Sequence, residues 1–365
     1  MKVLVALDSF KGSISSKEAN EAVKKALDDH DVICKAIGDG GENTMEAIAD
    51  SLNGNIEQVE VCGPLNNKII ASYAICNDLA VIEMAKCAGI TLLSKDQLDP
   101  LYTTTYGVGQ MILDAMDKGC RNFIICIGGS CTNDGGIGML SALGYEFLGH
   151  DHKLVSLNAL GLKDLAYIID NHDNRLDSCH FEVACDVDNP LCGINGASYV
   201  FARQKGASEK DIENMDKWLK HYADICGYDD SYPGCGAAGG LGFALKYFLN
   251  AKLEKGIEIV IEKLNIENII QTCDVVICGE GKMDKQTLSG KAPFGIARIA
   301  KKYHKKVIGI AGVIEHHKMM DDYFDKYYQI IDEADDIDDA INNASKYLTL
   351  IGRKIKERGC KEIDF

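Results

Sequence analysis

The stretch Phe123–Leu140 reads FIICIGGSCTNDGGIGML. Five apolar residues, Phe123 to Ile127, run into Gly128-Gly129-Ser130, then Thr132-Asn133-Asp134, then a second glycine pair, and an apolar run resumes at Ile137. That order predicts a buried strand, a glycine loop and the start of a helix. Such a loop lets backbone N–H groups close on an anion, and a helix N-terminus adds partial positive charge. A single glycine pair is equally what any tight turn needs, so the reading depends on the flanking chain.

Working outward, the same pattern recurs. Lys2–Leu7 is a short buried strand ending in Asp8-Ser9-Phe10-Lys11-Gly12-Ser13, before a helix that Ser15 and Glu18 open with capping-box spacing. Val32–Ile37 ends in Gly38-Asp39-Gly40-Gly41-Glu42-Asn43-Thr44, ahead of a helix from Met45. Asp274–Cys278 ends in Gly279-Glu280-Gly281-Lys282-Met283-Asp284, and Pro293–Lys302 is helical. A second glycine loop, Pro233 to Gly242, precedes another helix. Val81–Met84 and Phe181–Cys185 read as strands, the latter running into Asp186-Val187-Asp188-Asn189-Pro190; Tyr199–Ala202 reads as one more. Val307–Ala311 and Tyr327–Ile331 follow, and a final helix carries Ile341, Ala344, Leu348, Ile351 and Ile355.

Between Asn55 and Ala80 the pattern changes to two alternating runs about the turn Gly63-Pro64-Leu65-Asn66-Asn67, the signature of an antiparallel hairpin. The expectation is an α/β chain of two different α/β domains. A Rossmann-like parallel-sheet domain is built from both chain ends (1–60 and 255–365), and a mixed α/β domain (61–254) is inserted into it. The strand–helix units of 81–145 are compatible with either.

The chain has 365 residues, 46% apolar and 26% charged, ordinary for a globular protein. Its net charge of −16 argues against a nucleic-acid backbone or an anionic membrane as the main partner, and requires any anionic substrate to find local cations. Fifteen cysteines without a Cys-x-x-Cys pair, several in apolar runs, fit buried thiols in a reducing cytoplasm better than a disulfide framework or zinc. The N-terminal apolar run, Val3–Leu7, is too short for a signal sequence or a membrane span. Oligomeric state is open.

Four glycine-bearing loops (38–42, 128–136, 234–242 and 279–291) carry an acid or cation or end a strand, which points to a phosphate or nucleotide site. No G-x-x-x-x-G-K-[ST] P-loop, no protein-kinase D-F-G or H-R-D and no G-x-G-x-x-G fingerprint occurs. Asp39 and Glu42 can hold Mg²⁺ or orient a hydroxyl, or simply close an Asx-turn. Asp186 and Asp188 can act as general base or metal ligand, or form a solvated turn. Glu280 and Asp284 with Lys282 and Lys291 supply the mixture of acids and cations that phosphoryl transfer uses. Lys11 and Lys205 each precede a loop glycine.

Read together, DSFKGS (8–13), DGGENT (39–44), GGSCTNDGG (128–136), CDVDNPLCG (185–193), QKGA (204–207), GAAGGLGFAL (236–245) and GEGKMD…GKAP (279–293) resemble the type-1 glycerate kinases, in that family's order and over nearly the whole chain. The resemblance implies ATP-dependent phosphorylation of D-glycerate at the 2-hydroxyl, in a cleft between two α/β domains, with ATP and Mg²⁺ as cofactors. On it, phosphates fall to Gly128, Gly129, Ser130, Gly236, Gly239 and Gly240, with Lys205, Lys282 and Lys291. Lys11 takes the glycerate carboxylate, with Asp8, Asp39, Glu42, Asn133 and Asp134 around the substrate. Asp188, or else Asp186, accepts the proton, and Glu280 or Asp284 holds Mg²⁺. The chain departs from the pattern at Asn43, where glycine is usual, at Cys131, at Ile194 and Ala202-Arg203, and at Lys282, where arginine is frequent. A lysine there acts as a point charge rather than a bidentate fork. Two rival readings are a non-catalytic sensor of a nucleotide or small acid, which would not need the loop acids, and a dehydrogenase, which the missing fingerprint disfavours. A kinase of another small hydroxy acid is a third.

Overall fold

The computed structural model describes residues 1–285 and 291–362, with side chains to 357; Gly290 of the GKAP segment lies outside the described residues. In chain order the strands are β1 (Lys2–Leu7), β2 (Asp31–Cys34), β3 (Asn55–Cys62), β4 (Lys68–Cys76), β5 (Leu79–Glu83), β6 (Asn122–Cys126), β7 (Tyr145–Gly149), β8 (Leu165–Asp170), β9 (His180–Ala184), β10 (Lys252–Glu254), β11 (Val275–Met283), β12 (Lys306–Ile314) and β13 (Lys326–Gln329). The chain is α/β and divides into two compact units, one of Met1–Asp39, Glu46–Asn53 and Ile257–Phe365, the other of Gly40–Met45 and Gly54–Gly256.

In the first unit all five strands are parallel, in the order β2-β1-β11-β12-β13. Renumbered within the unit this is 2-1-3-4-5, a doubly wound order whose direction reverses between β1 and β11; ligands of such sheets bind outside the strand C-termini at that point. The apolar runs of β1 and β11 make this core, because a parallel strand covered on both faces buries every side chain. Helix Ser16–Ala26 lays Ala19, Ala22 and Val23 against it, and helix Ala344–Glu362 adds Leu348, Ile351 and Ile355. The capping box expected at Ser15 and Glu18 is formed.

The second unit holds a six-stranded sheet, β10-β9-β6-β5-β4-β3, parallel from β10 to β5 and closed by the antiparallel hairpin β3–β4. A separate antiparallel pair, β7–β8, lies in the same unit. The C-terminal ends of β5, β6 and β9 therefore share one edge.

Three local expectations are corrected. Residues Ala197–Phe201 form a helix, not a strand: Ala197, Ser198 and Ala202 are buried while Tyr199 and Val200 face solvent, a helical rather than an alternating pattern. Ile341 belongs to a separate short helix, Ile337–Asn342, which Asp336 caps by accepting from the Asp339 N–H, and the last helix starts at Ala344. The segment Gly279–Met283, expected as a loop after the strand, continues β11, where Lys282 pairs with Val313 and Met283 with Ile314. The helix expected after the first glycine loop is present as Ile137–Ala142. Six residues give little aligned dipole, so any anion binding there falls to individual N–H groups.

Candidate active site

In the second unit, β6 ends in a loop whose first two residues, Gly128 and Gly129, are exposed, whereas everything from Ser130 to Leu140 is buried. The turn 40–43 borders it: a Cβ built on Gly128 would lie 3.7 Å from Gly41 Cα, and one on Gly40 would lie 2.8 Å from Ala184 Cβ at the end of β9. Asn43, in the place where the resemblance leads one to expect glycine, has φ 70°, a left-handed conformation that asparagine tolerates better than most residues. Glu42 is exposed on this turn. Beyond β9, Asp186 Oδ1 accepts from the Gly256 N–H at 3.0 Å. Asp188 is exposed and makes no hydrogen bond or ion pair with another described residue. The loop after β6 thus exposes Gly128 and Gly129, the latter with its carbonyl accepting from the Ile90 N–H at 2.8 Å; after β9 Asp188 is unengaged, while Asp186 is committed to holding the chain after β10.

Beneath that edge the loop is braced from inside. Asp134 is fully buried; its Oδ2 accepts from the Thr105 N–H and hydroxyl, each at 2.8 Å, and its Oδ1 from the Gly136 N–H at 3.1 Å. Thr105 Oγ1 in turn accepts from the Met139 N–H. Burial raises the Asp134 carboxyl above its ordinary range, against the pull of these donors. Asn133 is equally buried and donates to Ser198 Oγ at 3.0 Å. Lys205, a surface type by composition, is 1% exposed, and its Nζ donates to Ser130 Oγ at 2.8 Å and to Thr132 O at 2.7 Å. All three side chains hold the loop from inside.

The second glycine loop meets the first. Gly135 N–H donates to Gly239 O at 2.9 Å, and Gly236, Gly239 and Gly240 are all buried. Gly239, at φ 67°, leaves no room for a side chain: a Cβ there would lie 2.1 Å from Thr132 O. Loop-to-loop packing by itself accounts for this glycine. Cys131 sits in the same core, donating to Ala88 O, with its thiol pushed by burial up to about 12.

In the first unit the sequence candidates gather at the β1–β11 switch. Leu7 pairs with Gly279, and the Asp8 N–H donates to Gly279 O at 2.8 Å. Asp8 and Glu280 are each 8% exposed. Burial first, then the charges of Asp39 and Glu280, raise the Asp8 carboxyl well above the ordinary range, against a bond from the Ser9 N–H. Lys291 Nζ lies 3.3 Å from Glu280, and Lys282 lies 2.6 Å from Glu315 and 3.7 Å from Asp284. Lys11 is exposed in the loop after Asp8. Among the described residues no group of three or more His, Cys, Asp or Glu is arranged to hold a metal ion by itself. The mutually repelling carboxylates of Asp8, just after β1, and Glu280, within β11, nonetheless fit Mg²⁺, which usually takes one or two carboxylates and completes its shell with water and phosphate.

Sequence reasoning missed several residues that build the site. Glu83, at the end of β5 and 3% exposed, accepts from the Met45 N–H at 3.0 Å and lies 3.6 Å from Lys86. Thr103 donates to Cys131 O at 2.9 Å, and Ser198 holds Asn133. The run Thr103-Thr104-Thr105 before a helix was the available signal, since hydroxyls there serve as local hydrogen-bond partners.

The Glycerate kinase family matches residues 3–358. Glycerate 2-kinase of Escherichia coli (strain K12) is 41% identical over 97% of this chain and 97% of its own length. Glycerate kinase of Bacillus subtilis (strain 168) is 41% identical with the same coverage of both chains. The crystal structure of a putative glycerate kinase 2 from Salmonella typhimurium LT2 superposes with a TM-score of 0.92 at 40% identity, covering 100% of each chain. Matched along nearly its whole length in both sequence and fold, the chain belongs to the glycerate kinase family and is an enzyme of that family.

Proposed function

We propose that the enzyme transfers the γ-phosphoryl group of ATP to the 2-hydroxyl of D-glycerate, giving 2-phosphoglycerate and ADP. The observation that carries this reading is the likeness, over nearly all of both chains, to a relative described as a glycerate 2-kinase. The site chemistry supports it: phosphoryl transfer asks for backbone donors, cations and one carboxylate near the attacking hydroxyl.

In this reading Lys11 pairs with the glycerate carboxylate, and the exposed N–H groups at Gly128 and Gly129 take phosphate oxygens. Asp188 accepts the hydroxyl proton as the glycerate oxygen bonds to phosphorus and the bond to the ADP oxygen breaks. Asp188 is preferred to Asp186 because Asp186 already holds the Gly256 N–H. Glu280 or Asp284, with Asp8 as a second carboxylate, would hold Mg²⁺, which would supply positive charge to the phosphates. Lys282 and Lys291 add charge on the same side of the first unit's sheet, although each is partnered by an acid.

NMR of the product formed from D-glycerate and ATP separates 2-phosphoglycerate from 3-phosphoglycerate; finding the 3-isomer, or no glycerate-dependent ADP release, would overturn the reading. Asp188→Asn is expected to lower kcat by roughly 10²–10⁴, the usual worth of a general base, with glycerate binding little changed. A near-normal kcat would remove Asp188 from the role.

A further inference from the structure

An ammonium group has three N–H donors and no acceptor, so the direction of both Lys205 bonds is fixed by chemistry. Ser130 Oγ, 2.8 Å from Nζ, must accept. Its one proton therefore points away from the lysine. Ser130 is 7% exposed, follows the exposed Gly129, and its hydroxyl bonds no other described residue, so that proton is available to a ligand on the open side of the loop. The second bond, to Thr132 O at 2.7 Å, ties the same ammonium to the loop two residues on.

We propose that Lys205 is a positioning residue that fixes the Ser130 hydroxyl as an outward hydrogen-bond donor to a phosphate oxygen of the nucleotide. This rests on the reading that the Gly128–Ser130 loop takes the phosphates. A neutral amine keeps two N–H donors but gains a lone pair, so it can accept the Ser130 proton and no longer obliges the hydroxyl to point outward. The titratable groups facing Lys205 are Cys131, whose thiol stays protonated because burial pushes it up to about 12, and Asp134, tied to Thr105 and Gly136. Burial pushes Lys205 itself down to about 8. The fixed direction of the Ser130 donor is then lost as pH rises through that value.

The test is a double-mutant cycle of Ser130→Ala and Lys205→Met, read as kcat/KM for ATP at saturating D-glycerate. Each single variant is expected to lose about tenfold, the worth of one charge-assisted hydrogen bond, and the double variant no more than the worse single. Losses that multiply would overturn the proposal. The wild type should lose kcat/KM above pH ~8 while Ser130→Ala stays flat there; the same alkaline fall in both would also overturn it, and this arm stands even if Lys205→Met does not fold. A purely structural lysine predicts something different. With its folded pKa below that of the unfolded chain, Lys205 makes the stability of the wild type rise relative to Lys205→Met with pH above ~8, so a lysine acting only through stability would hold or raise activity there, not lower it. If the wild type shows no turnover of glycerate, the proposed function fails on its own. The same cycle, read by calorimetry of ADP binding, then decides the role of Lys205 separately.

Discussion

Asp8 shows most directly how a site residue works against its own fold. Its carboxyl is buried at the end of β1 and faces the charges of Asp39 and Glu280, so its folded pKa is raised. A carboxyl in that state is destabilising once ionised: stability is lost as pH rises from the ordinary carboxylate range through the raised value. Asp8→Asn is therefore expected to raise stability at pH 7 by ~1 kcal/mol and to lose most activity, the pattern of a functional group kept at a cost to the fold. The gain should shrink as pH is lowered and wild-type Asp8 takes up its proton. Mg²⁺ should raise the melting temperature of the wild type more than that of the variant. Thermal melts across pH, with and without Mg²⁺, check all three; a variant less stable than the wild type at pH 7 would contradict them. Asp8 was legible in the sequence because a short apolar run followed by an acid marks a strand end; Glu280 was picked out by the same rule, although β11 runs on through it to Met283. Lys205 and Asp134 were not legible as braces, since composition places lysine and aspartate at the surface, and only the folded chain supplies the carbonyl, hydroxyl and N–H groups that make burying them tolerable.

At the scale of elements, the sequence signal and its meaning separate. The glycine loops are where the sequence puts them, after β6 and before the helix Leu241–Phe248. Their density suggests that all of them cradle phosphate; in the fold the second loop packs against the first, while Gly128 and Gly129 are exposed. No local pattern distinguishes a glycine that admits a ligand from one that admits another loop, because the difference lies in what the rest of the chain brings alongside. The two kinds respond differently to alanine. Gly239→Ala drives a Cβ into Thr132 O at a left-handed φ, so it should cost ~3 kcal/mol or more, or prevent folding. Gly128→Ala meets nothing closer than 3.7 Å, so it should leave the melting temperature nearly unchanged and act on the KM for ATP. Denaturant unfolding of both variants with ATP kinetics on the second checks the pair; equal stability losses would refute the distinction. The misread helix Ala197–Phe201 has the same origin: five residues are too few for periodicity to separate helix from strand, and the burial of small residues on one side decided it.

Across the whole molecule the property most directly readable from sequence is charge, and it bears on catalysis through the substrates. Glycerate and ATP are anions and the chain carries −16. The folded chain does little to offset this near the first unit's candidates: Lys291 is matched by Glu280, Lys282 by Glu315 and Asp284, and Asp8 lies among further acids. Local pairs that cancel leave the long-range field to set how readily an anion arrives, and that field is screened over ~30 Å at 0.01 M salt but only ~8 Å at 0.15 M. The KM for glycerate is therefore expected to fall, by about twofold, as monovalent salt rises across that range at fixed Mg²⁺. The opposite slope would mean that Lys11 and its neighbours attract the carboxylate more strongly than the whole protein repels it. Lys11→Met separates the two contributions. It should raise the KM for glycerate at every ionic strength and steepen the fall with salt, because the repulsive field then acts without its local counterpart.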